Sequence, residues 1–294
     1  MKRHKICKII FAILAVFLCV AFYELIGICI TYKKQPAVSD ATIKETQNIM
    51  SVAGKENTER AVIIEKNSQA LLERVRLIQN AKDEIILSTF AFKSDESGKL
   101  ILGALHDAAD RGVHVRILVD GMESWIDMEG NPYFYGLSSH ENVEIKLYNK
   151  ANPLKPWKTM GRMHDKYLIA DGKIYILGGR NTYNYFLGDF PGHKNFDRDV
   201  LVVCDEPQKD NSVNQLWNYF ETIWEQEDCR YFHNSKKLAD RQSVKKAVLE
   251  LQEGYQQYFE VNKEKICDTD YADETFETEK ITLLSNPIHT QAKE

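Results

Sequence analysis

Apolar positions follow two regimes along the chain. From Ile9 to Tyr32 it is apolar for 24 residues with one charge, Glu24. As a helix this run would be about 36 Å long at ~1.5 Å per residue, enough to cross a bilayer. A span ending before Glu24 would be short, so Glu24 is expected at the outer headgroup layer. No small-residue cleavage pattern closes the run, which favours an uncleaved signal-anchor over residues 1–34 rather than a cleaved leader. Lys2, Arg3, Lys5 and Lys8 precede the run and Lys33 and Lys34 follow it, favouring a cytoplasmic amino terminus with the rest outside.

Beyond a polar tether over 35–59, short apolar runs alternate with helical stripes. Ala61 to Glu65 reads as a strand. Ser68 could cap a helix with Leu71, Leu72, Val75 and Ile78 on one face. Glu84 to Phe92 predicts a strand, Gly98 to Arg111 a helix stopped by Gly112, and Val113 to Val119 a strand buried on both faces. Val143–Leu147, Met163–Ala170, Ile174–Leu177 and Val200–Val203 add strands, with a turn at Asp171 and Gly172. Ser212 to Glu225 carries a helical stripe of Val213, Leu216, Trp217, Phe220, Ile223 and Trp224. Ser235 to Val261 predicts a long amphipathic helix, Glu264 to Glu279 an exposed acidic linker, and Ile281 to Ser285 a further strand. Strands and helices in this order predict an α/β layered fold.

A hydrophobic fraction of 44% is ample for a packed core. Without residues 1–34 the chain holds 32 basic against 42 acidic residues, which argues against a general nucleic-acid binder. Locally the balance reverses: Lys146, Lys150, Lys155, Lys158 and Arg162 fall between Ile145 and Met163 with no acid, a run suited to an anionic head group or to a solvated loop. Cys7, Cys19 and Cys29 fall in or beside the apolar run, and Cys204, Cys229 and Cys267 are scattered. Neither a disulfide framework nor a metal site is implied, and no cofactor is expected.

The chemistry concentrates in Met163 to Asn181, MHDKYLIADGKIYILGGRN. In an extended strand His164 and Lys166 share a face about 7 Å apart, which suits phosphodiester chemistry. The run resembles the HxKxxxxD motif of the phospholipase D superfamily, matched by His164, Lys166 and Asp171, then Gly178, Gly179 and Asn181. ALLERVRLIQNAKDEIILSTFAF, AADRGVHVRILVDG and FDRDVLVV extend the likeness over roughly Ala61 to Glu227, closest to the membrane-anchored, cardiolipin-synthase-like branch.

That resemblance implies a phospholipase D-like catalytic lobe over 60–230, a mixed β-sheet flanked by helices. It implies His164 as nucleophile, forming a phosphohistidine that water or an alcohol resolves. Lys166 and Asn181 would hold the non-bridging oxygens. Asp199 would orient the histidine, and Asp171 is either a participant or an Asp-Gly turn residue. Gly178 and Gly179 would allow close backbone approach, Gly179 standing where the family often has serine. Arg162 and His193 complete the expected substrate-binding set.

Family members usually contain two lobes, each with this motif, whereas one stands here. Ile281 to Ser285 falls where a second lobe would open, so 231–294 is expected to hold the long helix, the acidic linker and the start of a possible second lobe. A homodimer partner or a missing half would then complete the site. The expected activity is a phosphodiesterase or phosphatidyltransferase acting on phospholipid at the membrane. The alternatives are a metal-independent homodimeric nuclease and an inactive truncated lobe.

Overall fold

The computed structural model describes residues 2–33, 40–41, 43–44, 47, 59–150, 152–158, 161–207 and 209–285. Most of the expected tether over 35–59 lies outside them. Helix α1 (Lys2–Lys33) has an apolar stretch, His4–Ile30, of 27 residues and mean hydropathy 2.7, long and apolar enough to cross a membrane.

The rest is built on one nine-stranded sheet. In chain order its strands are β1 (Glu59–Ile64), β2 (Glu84–Thr89), β3 (His114–Asp120), β4 (Val143–Tyr148), β5 (Tyr167–Ala170), β6 (Ile174–Gly178), β7 (Asp199–Cys204), β8 (Cys229–Tyr231) and β9 (Phe276–Glu277). Their order across the sheet is β8-β4-β3-β2-β5-β6-β7-β1-β9. β2, β3 and β4 run parallel, joined by helical crossovers, and every other pairing is antiparallel. β5 and β6 form a hairpin whose turn puts Asp171 at φ 53° and Gly172 at φ 61°, the mirror-image geometry that Asp-Gly favours.

Alternation along the strands separates two cores. One face, with Ile85, Leu87, Val115, Ile117 and Val119, packs beneath helices α2 (Asn67–Asn80), α3 (Glu96–Asp110), α5 (Pro132–Ser138) and α8 (Gln242–Cys267). Any side chain at Gly103 of α3 would strike the Leu251 carbonyl and the Tyr255 side chain of α8, so glycine sets that approach. The other face, with Ile86, Leu118, Tyr167, Ile169 and Val202, is covered by Leu216, Phe220, Ile223 and Trp224 of α6 (Ser212–Trp224). The predicted aromatic stripe is therefore core.

Several expectations are corrected. The helix expected over Ser235–Val261 is two helices, α7 (Lys236–Ala239) and α8, broken at Asp240 and Arg241. Short α4 (Gly121–Asp127) and α5 went unpredicted because neither is long enough to display a period. The acidic segment has its carboxylates exposed, as expected, but it is fastened to the lobe rather than free of it. Arg76 donates to Glu274 at 2.9 Å and to the carbonyls of Asp268 and Asp270, and stacks 3.9 Å from the buried Tyr271 ring. β9 then pairs with β1. Residues 281–285 form no strand: the Leu283 amide donates to Gln215 at 2.8 Å, and Ile281 and Leu283 pack on the α6 core. The described part of 231–294 thus folds back onto the lobe expected over 60–230.

Phe220 is fully buried on the face that α6 covers. Phe220→Ala should lower unfolding stability by about 3–5 kcal/mol. An unchanged denaturation midpoint would contradict this packing.

Candidate active site

Strand direction decides which side chains meet. Pairing of Ser88 with Tyr167, Tyr167 with Leu177, and Gly178 with Asp199 brings the ends of β2 and β6 to the same end of the sheet as the starts of β5 and β7. β3 and β4 also finish there, being parallel to β2. His164, Lys166, Gly178, Gly179, Asn181 and Asp199 are all at this end. Asp171 closes the opposite end.

β5 begins only at Tyr167, so His164 and Lys166 lie in the irregular approach to it, and strand alternation does not align them as expected. Instead the Lys166 side chain turns back and its Nζ donates to the His164 carbonyl at 2.5 Å. Lys166 is only 6% exposed. Burial depresses its pKa to about 8, against the opposing pull of Asp165 and Asp197. Its ammonium has three donors, and among the described residues this carbonyl is the one acceptor recorded for it.

His164 is exposed on one side and packs its other against Phe90, ring centroids 4.7 Å apart. Partial burial, then the Lys166 charge, pushes its pKa below the ordinary value, so the ring stays neutral at neutral pH. The Lys166 Nζ and the Arg162 guanidinium lie 5.3 and 5.0 Å from the same Phe90 ring. Asp165 takes a different course: it accepts from the Tyr219 hydroxyl at 2.8 Å, and burial raises its pKa.

Asn181 reaches this place because the chain after β6 is stitched to the chain after β2. Thr182 N donates to the Ala91 carbonyl, Lys93 N to the Thr182 carbonyl, and Ala91 N to Asn181 Oδ1 at 3.2 Å. With Oδ1 occupied, the Nδ2 amide of this buried side chain remains a donor. Phe90 thus joins three expected groups, a role no sequence signal marked.

Arg162 is committed to protein carboxylates. It pairs with Asp120 at 2.7 Å and Glu123 at 2.9 Å, and the buried Asp120 also receives the amides of Met122, Glu123 and Met163. Arg162 therefore anchors the approach to His164 more than it presents a charge. In the basic run, Lys146 donates to the Trp224 carbonyl and Lys158 pairs with Asp228, while Lys150 and Lys155 are exposed.

Asp199 corrects an expectation. Its carboxylate pairs with Arg74 at 3.0 Å and Arg180 at 3.3 Å rather than with His164. Arg180 also donates to Asn67 and to the carbonyls of Ile64 and Glu65, tying α2, β1, β6 and β7 together under the site. A side chain at Gly178 would collide with Asp199, and one at Gly179 with Asp197. The two glycines make room for carboxylates of the protein itself. Arg74, hidden in the apolar stripe of α2, and Arg180, beside Asn181, were missed.

Asp171 is separated from this set. It receives the amides of Lys82, Asp83 and Glu84 at 2.9, 2.8 and 3.0 Å, so its carboxylate fastens the hairpin to the start of β2. The turn reading holds, and a direct part beside His164 does not. His193 lies exposed in the β6–β7 connection, bonded to Asn195 at 3.0 Å and packed on Tyr185, with no contact to His164 among the described residues.

The family described as cardiolipin synthase, PLD-like domain, matches residues 75–224. An uncharacterized protein of Helicobacter pylori strain 26695 is 33% identical over 181 residues, 57% of this chain and 35% of that protein. Cardiolipin synthase C of Escherichia coli K12 is 29% identical over 154 residues, 48% of this chain and 31% of that enzyme. The chain spans about a third of the length of these curated relatives. Among solved structures, phosphatidylserine synthase of Haemophilus influenzae superposes with a TM-score of 0.49 at 14% identity, covering 74% of this chain and 48% of that one.

Because burial lowers the Lys166 pKa from 10.5 to about 8, the unfolded chain holds more protons between those values, so the cost of burying the charge fades as pH rises through them. Lys166→Met should be more stable than the parent below about pH 8, by at most ~3 kcal/mol at ~1.4 kcal/mol per pKa unit. The advantage should vanish towards pH 10.5. Parallel pH profiles of thermal stability would contradict the burial.

Proposed function

The chain belongs to the family of cardiolipin synthase, PLD-like domains, and from that premise we propose that it catalyses phosphodiester transfer on a phospholipid, with His164 as nucleophile. The observation that carries this reading is the His164 imidazole beside a buried ammonium for which, among the described residues, a single carbonyl is the acceptor. The neutral ring has a lone pair for phosphorus. Lys166 and the Asn181 amide are suited to the non-bridging oxygens, whose charge grows in the transition state.

In the first step the histidine nitrogen bonds to phosphorus and the bond to the leaving alkoxide breaks, while a second imidazolium gives that oxygen its proton. In the second step the same imidazole, now neutral, takes a proton from an incoming alcohol or water whose oxygen displaces His164. The second imidazole comes from another lobe, a second copy of this chain or a complementary polypeptide. His106 and His140 pair with Asp110, His114 with Glu84 and Glu144, and His233 with Glu129, all away from His164. Trp125 at 59%, Ile126 at 63% and Phe196 at 83% exposure lie at this end of the sheet and offer an apolar surface for such a lobe.

The apolar helix and the cardiolipin synthase relatives support a membrane anchor. The basic residues before it favour a cytoplasmic amino terminus and a lobe on the outer side. The net acidity of the soluble part favours lipid over nucleic acid as the diester.

Full-length protein in membrane vesicles should turn over labelled phosphatidylglycerol in the presence of chelator. His164→Asn and Lys166→Met should each reduce turnover by about 10²–10³-fold or more. In the parent, kcat/KM should fall above about pH 8 as the ammonium loses its proton. Unchanged activity in either variant would overturn the assignment, and cleavage of DNA with phosphatidylglycerol untouched would move the same chemistry to another diester.

A further inference from the structure

The apolar helix does not stand apart from the lobe. The Tyr23 hydroxyl of α1 donates to the Leu154 carbonyl at 3.0 Å, and Gly27 lies so close to Pro156 that any side chain there would overlap the ring. Both contacts fall on the segment of residues 152–158 between β4 and His164. Tyr23 and Gly27 precede Ile30, the end of the apolar stretch, by seven and three residues. Tyr23 adjoins Glu24, expected at the outer headgroup layer, and Gly27 lies about 5 Å beyond Glu24 at ~1.5 Å per residue.

A helix that crosses the bilayer therefore holds this segment at the depth of its own outer turns. We infer that residues 152–158 form an interfacial wedge, Leu154 and Trp157 entering the boundary between headgroups and acyl chains of the leaflet that α1 leaves. Leu154 is 78% exposed and Trp157 40%, an unusual outlay of apolar surface for a loop beside a site. Tryptophan favours this layer because its ring is apolar and its N–H polar. Exposed Lys155 between them can extend its ammonium to lipid phosphates.

The segment is built to keep its shape under that load. Lys155 N and Lys158 N close turns on the carbonyls of Asn152 and Lys155, and Asn149 Nδ2 bonds the carbonyls of Lys158 and Gly161 at 2.7 Å each. Lys158 is fixed to Asp228 and Arg162 to Asp120. The depth of the wedge is thereby passed on to His164, seven residues after Trp157. A lipid phosphate in the headgroup layer would meet the imidazole without its chains leaving the leaflet. β4 lies two strands from β2 and three from β5, so the wedge occupies a flank and leaves the surface near Phe196 for a second lobe.

This inference rests on the membrane-anchored reading proposed above, and its test separates the two. Full-length protein is reconstituted in phosphatidylglycerol and phosphatidylcholine vesicles containing chain-brominated lipid. Trp157→Phe should remove most of the quenchable tryptophan emission and Trp125→Phe should not; quenching unchanged in Trp157→Phe would overturn the wedge. Leu154→Asp should reduce turnover of vesicle phosphatidylglycerol at least tenfold while a soluble bis-nitrophenyl phosphodiester is turned over within twofold of the parent. Equal effects on both diesters would also overturn it. A parent protein inactive on either diester would defeat the proposed chemistry, with the quenching result still deciding the wedge.

Discussion

A lysine ammonium taken out of water beside a histidine is the constraint on which this site depends. Lys166 is nearly buried and among the described residues its one acceptor is the His164 carbonyl, so the ammonium is an under-satisfied cation there. Such a cost is repaid when an anion arrives, since phosphate oxygens supply the missing acceptors and the opposite charge together. Partial burial and, after it, the same cation push the adjacent imidazole's pKa below its ordinary value, favouring the form with a lone pair for phosphorus.

The fold places these groups by strand direction. Antiparallel β5 lies beside the last strand of a parallel trio, so the approach to β5 meets the loops that leave β2 and β3. Asp120 at the end of β3 then fixes Arg162 and Met163, and Phe90 beyond β2 packs against His164. Beneath them one buried carboxylate, Asp199, is shared by Arg74 and Arg180, which closes β1, β6 and β7 into a single support. Removing Asp199 would strand two buried guanidinium groups, a loss of the size that broken buried pairs show.

Much of this was legible in the chain. Period-two and helical stripes located β1 to β7, α2, α3 and α6 to within a few residues, because each element buries enough apolar surface to impose its period. Elements without such a stripe were missed. α4 and α5 are each two turns long, and β8 and β9 are two or three residues borrowed by a sheet edge. The acidic run over 264–279 is solvated as its composition suggests, but its attachment to the lobe is not legible because its counter-charges, Arg60 and Arg76, are about two hundred residues away in sequence.

At the site, His164, Lys166 and Asn181 are legible through the resemblance to the HxKxxxxD motif, and the fold gathers all three at one end of the sheet. Asp171 and Asp199 share the residue type but not the place: one caps three amides, the other neutralises two arginines. Periodicity could not reveal this, since a carboxylate's partner is set by tertiary contacts. The most direct measurement identifies the side chain that holds phosphorus during turnover. Full-length protein acting on phosphatidylglycerol is quenched in alkaline detergent, where phosphorus–nitrogen bonds persist, then digested and sequenced by mass spectrometry. Phosphorus on the His164 ring is the expected result. Steady turnover with phosphorus on another side chain, or on none, would contradict it.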